Sequence, residues 1–364
     1  MRYIDEFRNQ RLIKKLAKEI QALTPDKTIR IMEVCGTHTM SFFRFGIDKL
    51  LPENLKLISG PGCPVCVSTQ EYIDTAITLS QQKDALILTF GDMLRVPGTK
   101  STLEKERAKG RDVRIVYSPY ESITIARGNP QKKVIFLAVG FETTAPTIAL
   151  SIIAAKKKNI RNLSFFCALK LIPPVMRHLL TDERLNLDGF LCPGHVSSII
   201  GSRAYEFIPN QYKIACCVAG FEPLDILEGI YLLLKQIVKK SPKVDNQYMR
   251  VVSKEGNPKA KRIIKEVFQA KDSFWRGLGK ISESGLEIKK DFSAFDTEKV
   301  FNLTLTKLKP QPCATGCSCA EVLKGLISPK QCPLFARICS PENPYGPCMV
   351  SSEGTCSAYY KYNV

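Results

Sequence analysis

The chain is dominated by apolar segments that run directly into glycine-rich turns and then into helical patterns. This alternation is typical of parallel strands that are covered by helices on both faces of a sheet. The strand candidates are TIRIMEV, LKLIS, DALILTF and VRIVYS in residues 28–118, and KKVIFLAVG, LSFFCALK, DGFLCPG and YKIACCVAG in residues 132–220. We therefore predict an α/β fold built on parallel sheets.

The strand candidates fall into two series, which suggests two large domains. The segment NPQKK (129–133) separates the series, and from Pro310 onward Pro, Gly and Cys become frequent while periodicity fades. A chain of 364 residues is long enough for two such cores. We predict two parallel-sheet α/β (Rossmann-like) domains in residues 1–128 and 129–309, followed by a small C-terminal domain in residues 310–364.

Composition excludes several classes of protein. Hydrophobic residues make up 44% of the chain and charged residues 24%, as in ordinary globular proteins. No apolar run is long enough to cross a bilayer, and the first twenty residues lack the apolar core and cleavage site of a secretory signal. We expect a cytoplasmic protein that does not enter a membrane.

The formal net charge of +18 raises the possibility of a nucleic-acid partner. Residues 235–290 carry fifteen Lys and Arg against six Asp and Glu, but these are spread over helical patterns with apolar residues between them. No nucleic-acid fold signature accompanies them. We therefore expect a solvated basic face and no nucleic acid, with an acidic protein partner as the alternative.

The fourteen cysteines point to metal or redox chemistry, because the cytoplasm keeps thiols reduced. Seven of them lie between Cys313 and Cys356, and gaps of twelve, six and sixteen residues separate Cys319, Cys332, Cys339 and Cys356. Thiolates without histidine favour iron–sulfur over zinc, which normally uses paired Cys-x-x-Cys knuckles. We predict a [4Fe–4S] cluster on these four; the additional Cys313, Cys317 and Cys348 leave the fourth ligand open, and a structural zinc site is the alternative.

The motif GPGCPVCV places Cys63 and Cys66 where a strand ends and a helix begins. A helix N-terminus stabilises thiolates, so we expect a redox-active pair with a lowered thiol pKa. The alternatives are that the two cysteines supply half of the ligands of a metal site, or that they lie in a turn without chemical function. In EVCGTHT, Cys35 follows a strand three residues before His38, which suits a nucleophile and base, a thiolate metal ligand beside an imidazole, or a structural turn.

Two further motifs end strands of the second series. GFETTAP (140–146) places Glu142 at a helix N-terminus, and PGHVSSIIG (193–201) places His195 in a glycine-rich turn; we treat both as candidate catalytic residues. Buried free cysteines behave as small apolar residues. We therefore expect four cysteines in apolar strands to serve packing: Cys167, Cys192, Cys216 and Cys217.

The motifs CGTHT, GPGCPVC, GFETTAP and PGHVSSIIG, in this order, resemble the signature blocks of the HypD family of hydrogenase maturation factors. The resemblance extends from about residue 28 to the end, since the terminal cysteine spacing is similar to the family's cluster motif. It implies assembly of the Fe(CN)2CO moiety of nickel–iron hydrogenases, with the small chaperone HypC and the cyanide-donating protein HypE as partners.

The resemblance also implies roles for individual residues. Cys35 would hold the transient Fe(II), which carries CN and CO ligands, together with a cysteine of the chaperone. Cys63 and Cys66 would form a thiol–disulfide pair that exchanges electrons with the cluster. His38, like His195 and Glu142, is a candidate catalytic residue, and whether it ligates the iron or only positions it is open at this stage. Two other functions remain open from the residues alone: an iron–sulfur-dependent protein disulfide reductase, and a basic nucleic-acid-binding protein with a structural metal.

Overall fold

A computed structural model describes residues 4–303 and 316–362; Cys313 lies outside these ranges. The strands are β1 Ile29–Glu33, β2 Leu55–Ser59, β3 Ala85–Thr89, β4 Val113–Ile115, β5 Lys133–Gly140, β6 Leu163–Leu169, β7 Gly189–Pro193, β8 Ala215–Ala219, β9 Val244–Asn246, β10 Phe268–Trp275 and β11 Gly279–Ile288. The helices of the first half are α1 Gln10–Leu23, α2 Gly36–Arg44, α3 Pro64–Val67, α4 Gln70–Ser80, α5 Leu103–Ala108, α6 Glu121–Gly128 and α7 Ala145–Lys157. Those of the second half are α8 Ile172–Leu179, α9 Gly194–Ile200, α10 Pro223–Val238, α11 Pro258–Val267, α12 Thr297–Val300, α13 Cys319–Leu323 and α14 Thr355–Tyr362.

The strands of the predicted α/β fold form two parallel sheets, as expected. In the described part, the first sheet has the order β2-β1-β7-β8-β9 and the second has the order β4-β3-β5-β6. Strands β3, β6, β7 and β8 are buried along their whole length. Burial on both faces is what their continuous apolar sequence requires. The hairpin of β10 and β11 is antiparallel and was not expected.

The chain passes from the first sheet to the second and back again. In the first sheet β1 pairs with β2 and with β7 of a distant segment, whereas in the second sheet β3 pairs with β4 and β5. The sheets therefore do not separate at residues 128 and 129, where the sequence suggested that one domain ends and the next begins. The second sheet comes from the continuous segment 85–169, and it is inserted between β2 and β7 of the first.

The described residues of the C-terminal unit, 316–362, pack onto the first sheet. Gly325 has a positive φ of 73° and lies so close to β2 that a Cβ atom there would be 2.4 Å from the Ile58 side chain. Cys319 and Cys348 share one apolar core with Cys63 and Cys66. The C-terminal cysteines are therefore built into the main body of the protein. None of the described helices combines the length and apolar character that crossing a membrane requires.

Candidate functional site

Three of the predicted motifs, and the loop that begins at Gly220, follow four adjacent strands of the first sheet. Cys35 follows β1, Cys63 follows β2, His195 follows β7 and Gly220 follows β8. Parallel strands end at the same edge of a sheet, and loops at that edge are where open α/β sheets bind ligands. The strand order thus collects motifs that lie up to about 190 residues apart in the sequence.

Cys35 is a buried thiol held between two loops. It precedes α2, its amide donates a hydrogen bond to Glu33 Oε2 at 3.0 Å, and its carbonyl accepts one from the His38 amide at 2.8 Å. The neighbouring loop approaches so closely that a Cβ at Gly62 would be 2.4 Å from the Cys35 nitrogen. Burial raises the pKa of the Cys35 thiol to about 12, with contributions from the negative charges of Glu353 and Glu33.

His38 joins this loop to the loop after β8. Its ring is fully buried, and Nε2 lies 2.9 Å from the Gly220 carbonyl oxygen, so Nε2–H donates and Nδ1 is left as an acceptor. Nδ1 has no hydrogen-bond partner in the described part of the chain. Burial lowers the pKa of His38 to about 4. Phe221 contacts the His38 ring on one side, at 4.8 Å between centroids, and stacks on exposed His195 at 4.0 Å.

Cys63 and Cys66 adopt the predicted turn, but the expected lowering of the thiol pKa is wrong for Cys66. Both side chains are buried, and the Cys66 amide donates a hydrogen bond to Cys63 Sγ at 3.3 Å. Helix α3 has only four residues, which limits its dipole. Burial, followed by hydrogen bonds with Cys348 and Cys63, raises the pKa of Cys66 well above its usual value.

Cys348 connects the Cys63–Cys66 pair to the C-terminal unit. Its sulfur lies 3.4 Å from that of Cys319 and is also hydrogen-bonded to Cys356 and Cys66. These hydrogen bonds lower the pKa of Cys348 well below the usual value for a thiol, and the bond from Cys319 has the largest effect. A continuous series of sulfur contacts therefore leads from Cys66 through Cys348 to Cys319 and Cys356.

Cys317 lies in one group with three of the predicted cluster ligands, Cys332, Cys339 and Cys356. Burial raises the pKa of Cys339, and charges on neighbouring Cys317 and Cys332 raise it further. Cys317 and Cys339 also contribute to the raised pKa of Cys356, after the hydrogen bond with Cys348 and burial. Within residues 4–303 and 316–362, no three Cys, His, Asp or Glu side chains converge enough to hold a single metal ion. The ligands of a cubane surround a body of iron and sulfide and need not converge in that way.

A loop of the C-terminal unit covers the Cys35 loop. Thr37 Oγ1 donates a hydrogen bond to Glu353 Oε1 at 2.7 Å, and a Cβ at Gly36 would lie 2.2 Å from the Glu353 carbonyl oxygen. Glu353 also lines a cavity of about 370 Å³ that extends to Asp92 and to Pro64 in the cysteine turn. The cavity lies at the carboxyl ends of β3, β4 and β5, so it joins the cysteine loops to the second sheet.

Comparison with known proteins identifies the family. The HypD family model, described as the hydrogenase formation hypA family, matches residues 11–363. The chain belongs to the HypD family. Hydrogenase maturation factor HypD of Escherichia coli (strain K12) is 44% identical over 100% of this chain and 98% of that protein. The proteins of that name from Cupriavidus necator and Azotobacter vinelandii are 42% and 44% identical, each over 100% of this chain and 97% of theirs.

Glu142, in the third motif that resembles HypD, is positioned by a strand of the second sheet, whereas the other three motifs follow strands of the first. It follows β5, and its Oε1 accepts a hydrogen bond from the Ile172 amide at 2.9 Å. Its Oε2 is buried without a hydrogen-bond partner in the described residues. Burial raises the pKa of this carboxyl group to about 7. No hydrogen bond joins Glu142 to Cys35, Cys63 or Cys66 in the part of the chain that the structure describes.

Sequence reasoning missed Glu353 and the position of Cys348 beside Cys66. Glu353 stands in a Ser-Ser-Glu-Gly stretch that carries no motif, and no local signal could have placed it against α2. Cys348 belongs to the terminal cysteine set, so its redox or metal chemistry was foreseeable. Its contact with Cys66 was not foreseeable, because the two residues are far apart in the sequence. The neighbouring Pro347, whose carbonyl oxygen lies 3.8 Å from Cys66 Sγ, is 281 residues away from Cys66.

Proposed function

We propose that this protein is the scaffold on which the Fe(CN)2CO moiety of nickel–iron hydrogenases is assembled, with HypC and HypE as partners, and that its thiols exchange electrons during that assembly. The observation that supports the proposal best is the series of sulfur contacts from the Cys63–Cys66 turn to Cys348 and Cys319, beside the Cys35 loop. A hydrogenase maturation factor needs a site that holds iron and a supply of electrons, and this edge of the sheet offers thiols for both.

Cys35 is the proposed ligand for the iron, which is cargo and not a resident cofactor. A thiol with a pKa of about 12 keeps its proton at neutral pH, so an incoming Fe(II) ion must displace that proton to bind sulfur. Glu33 and Glu353 lie close enough to raise this pKa, and their carboxylates would offset the positive charge of the ion. His38, with Nδ1 free to accept a hydrogen bond, would orient the site from the same helix.

Cys63 and Cys66 are the proposed thiol–disulfide pair. Joining the two sulfurs in one bond releases two electrons and two protons, and reduction takes both back. Cys348 and Cys319, whose sulfurs are 3.4 Å apart, form a second pair that can undergo the same change and contacts the first through Cys66. Thiol–disulfide exchange between neighbouring pairs would carry electrons between the Cys35 loop and the C-terminal unit.

The donor set of the C-terminal unit fits an iron–sulfur cluster. Cys317, Cys332, Cys339 and Cys356 supply four soft thiolates in one small unit, which is the ligand set of a [4Fe–4S] cubane. We propose that Cys317 takes the place that the sequence suggested for Cys319, because Cys317 is the cysteine whose charge acts on both Cys339 and Cys356. When bound, the cluster would accept or donate electrons one at a time.

The test is the infrared spectrum, in the cyanide and carbonyl stretching region, of the protein purified anaerobically with HypC. Cys35→Ser should lose these bands and the extra iron, since a hydroxyl is a harder and less acidic donor than a thiol. The brown colour and the iron of the cluster should remain. Cys217→Ser is a matched control, because Cys217 is a buried cysteine of β8 outside the site.

Full cyanide and carbonyl bands in Cys35→Ser would overturn the scaffold proposal. They would favour a protein disulfide reductase, which needs the other thiols but has no use for an iron ligand at Cys35. Loss of the bands in the Cys217→Ser control as well would show that the effect of Cys35→Ser does not report iron ligation.

A further inference from the structure

A basic cavity lies between the first sheet and the C-terminal unit. Its volume is about 260 Å³, and Arg30, Lys56 and Arg184 line it. No Asp or Glu is among the described residues that line the cavity. Three cationic side chains around one opening without an acidic residue among them make a concentrated positive potential.

The cavity is adjacent to the proposed cluster. Gln331 and Thr355 contribute to its wall, and they are the chain neighbours of Cys332 and Cys356. Strand β2, which carries Lys56, is the edge strand of the first sheet, so this side faces outward and not toward another strand. The cavity thus opens beside the chain neighbours of two of the four proposed cluster ligands.

The positive charge of the cavity is only partly neutralised. Arg184 forms two hydrogen bonds with the Asp182 carboxylate, at 2.8 Å and 2.5 Å. The Arg30 and Lys56 side chains form no ion pair with a carboxylate in the described part of the chain. Two unpaired cations therefore remain at the opening, where an acidic surface could pair with them.

Partly exposed apolar side chains surround these cations. Leu57 and Ile58 of β2, and Leu326 and Ile327 of the C-terminal unit, line the same cavity and are only half-buried. A small anion would neutralise the cations but leave this apolar surface in water. A protein surface would cover both, in the pattern of an apolar centre with a charged rim.

We propose that this basic cavity is the docking site for an acidic electron-transfer protein with a low-potential iron–sulfur or flavin centre. The proposal rests on the proposed function, because the cluster is the group that the partner serves. In the transfer, the reduced centre of the partner loses one electron and the cluster gains it, without a bond being formed or broken. Interfaces of this kind are small and transient, so charge pairing would determine the rate at which the partners associate.

The probe is an acidic plant-type [2Fe–2S] ferredoxin, reduced with dithionite and desalted. Reduction of the cluster is followed by stopped-flow absorbance in the wild type, Lys56→Glu and Lys259→Glu. Lys259 is an exposed lysine of α11, so its variant makes the same change of charge away from the cavity. We expect the rate for Lys56→Glu to fall about tenfold at low ionic strength and to lose most of its salt dependence, with Lys259→Glu close to the wild type.

Biolayer interferometry with oxidised ferredoxin measures docking without any need for the cluster, and we expect the same order of affinities. A chain without cluster iron would overturn the proposed function and the electron route together. The protein could instead be brown and reducible by dithionite, while ferredoxin binds and reduces the wild type and Lys56→Glu equally well. That result would overturn this inference alone. So would the absence of ferredoxin binding at low ionic strength, or saturable binding of inorganic phosphate in its place.

Discussion

At the scale of single residues, burial disfavours the charged forms of the groups of the site. Burial raises the pKa of Glu33 to about 7 and that of the Cys35 thiol to about 12, and it lowers the pKa of His38 to about 4. The same physical cause acts on each group, because removal from water disfavours the charged form. Near neutral pH the thiol and the imidazole are therefore both uncharged before a metal ion arrives.

Burial also raises the pKa of Glu142, and this leads to a prediction about how the stability of the protein depends on pH. Its pKa is about 7 in the fold and lies near 4.5 in the unfolded chain, so the folded protein keeps a proton that the unfolded chain has released between these values. The stability that this proton provides is complete below pH 4.5 and is lost as the pH rises through 7. Glu142→Gln cannot ionise, so we expect its free energy of unfolding to gain about 3 kcal/mol over the wild type between pH 4.5 and pH 8.

The measurement is urea unfolding of the metal-free wild type and Glu142→Gln at both pH values. Taking the difference between the two proteins removes the contribution of the other titrating groups. A difference that stays constant from pH 4.5 to pH 8 would mean that Glu142 ionises in the fold as readily as in the unfolded chain.

At the scale of elements, the start of α13 gives neighbouring cysteines different positions relative to the proposed cluster. Cys319 is the first residue of α13, where its sulfur meets Cys348, whereas Cys317 lies two residues earlier, beside Cys339 and Cys356. Two cysteines that lie only two residues apart therefore have different sulfur neighbours. The spacing of twelve, six and sixteen residues could not distinguish them.

This separation predicts different outcomes for two neighbouring substitutions. Cys317→Ala should remove the brown colour and about four irons per chain, because a cubane needs its four thiolates. Cys319→Ala should keep both, while Cys348 loses its partner for disulfide formation. Iron and sulfide analysis of anaerobically purified protein is the measurement. Retention of the cluster in Cys317→Ala together with its loss in Cys319→Ala would restore the assignment made from the sequence.

At the scale of the whole molecule, each sheet is completed by strands from both sides of residue 128. The segment 1–128 holds β1 and β2 of the first sheet and β3 and β4 of the second, and it lacks β7 and β5, with which β1 and β3 pair. The apolar core is shared as well, since Ile87 and Phe166 of the second sheet and Phe190 of the first belong to one cluster.

We therefore expect that fragments 1–128 and 129–364, produced separately, do not fold. A parallel strand pair without its central neighbour cannot bury both faces, so neither fragment should show a cooperative urea transition by circular dichroism. The intact chain, under the same conditions, is the control. A cooperative transition in either fragment alone would show that residue 128 is a true domain boundary.

The sequence by itself determined the class of fold and the family. Runs such as those of β7 and β8 are apolar throughout, and this local property dictates a strand buried on both faces whatever its neighbours are. Cys35, Cys63 and the terminal cysteine set could be named as candidates because the chemistry of a thiol is intrinsic to the residue. The family resemblance from the same motifs is confirmed over residues 11–363.

Tertiary structure alone decided which of these parts meet. That β1 lies beside β7, that Glu353 covers Gly36, and that Cys348 joins Cys66 to Cys319 all depend on contacts between distant segments. The basic cavity arises in the same way, because Lys56 and Gln331 face one space only after the C-terminal unit has packed on β2. Periodicity encodes the face that a segment buries, whereas the identity of its partner depends on the packing energy of the whole chain, which no local window contains.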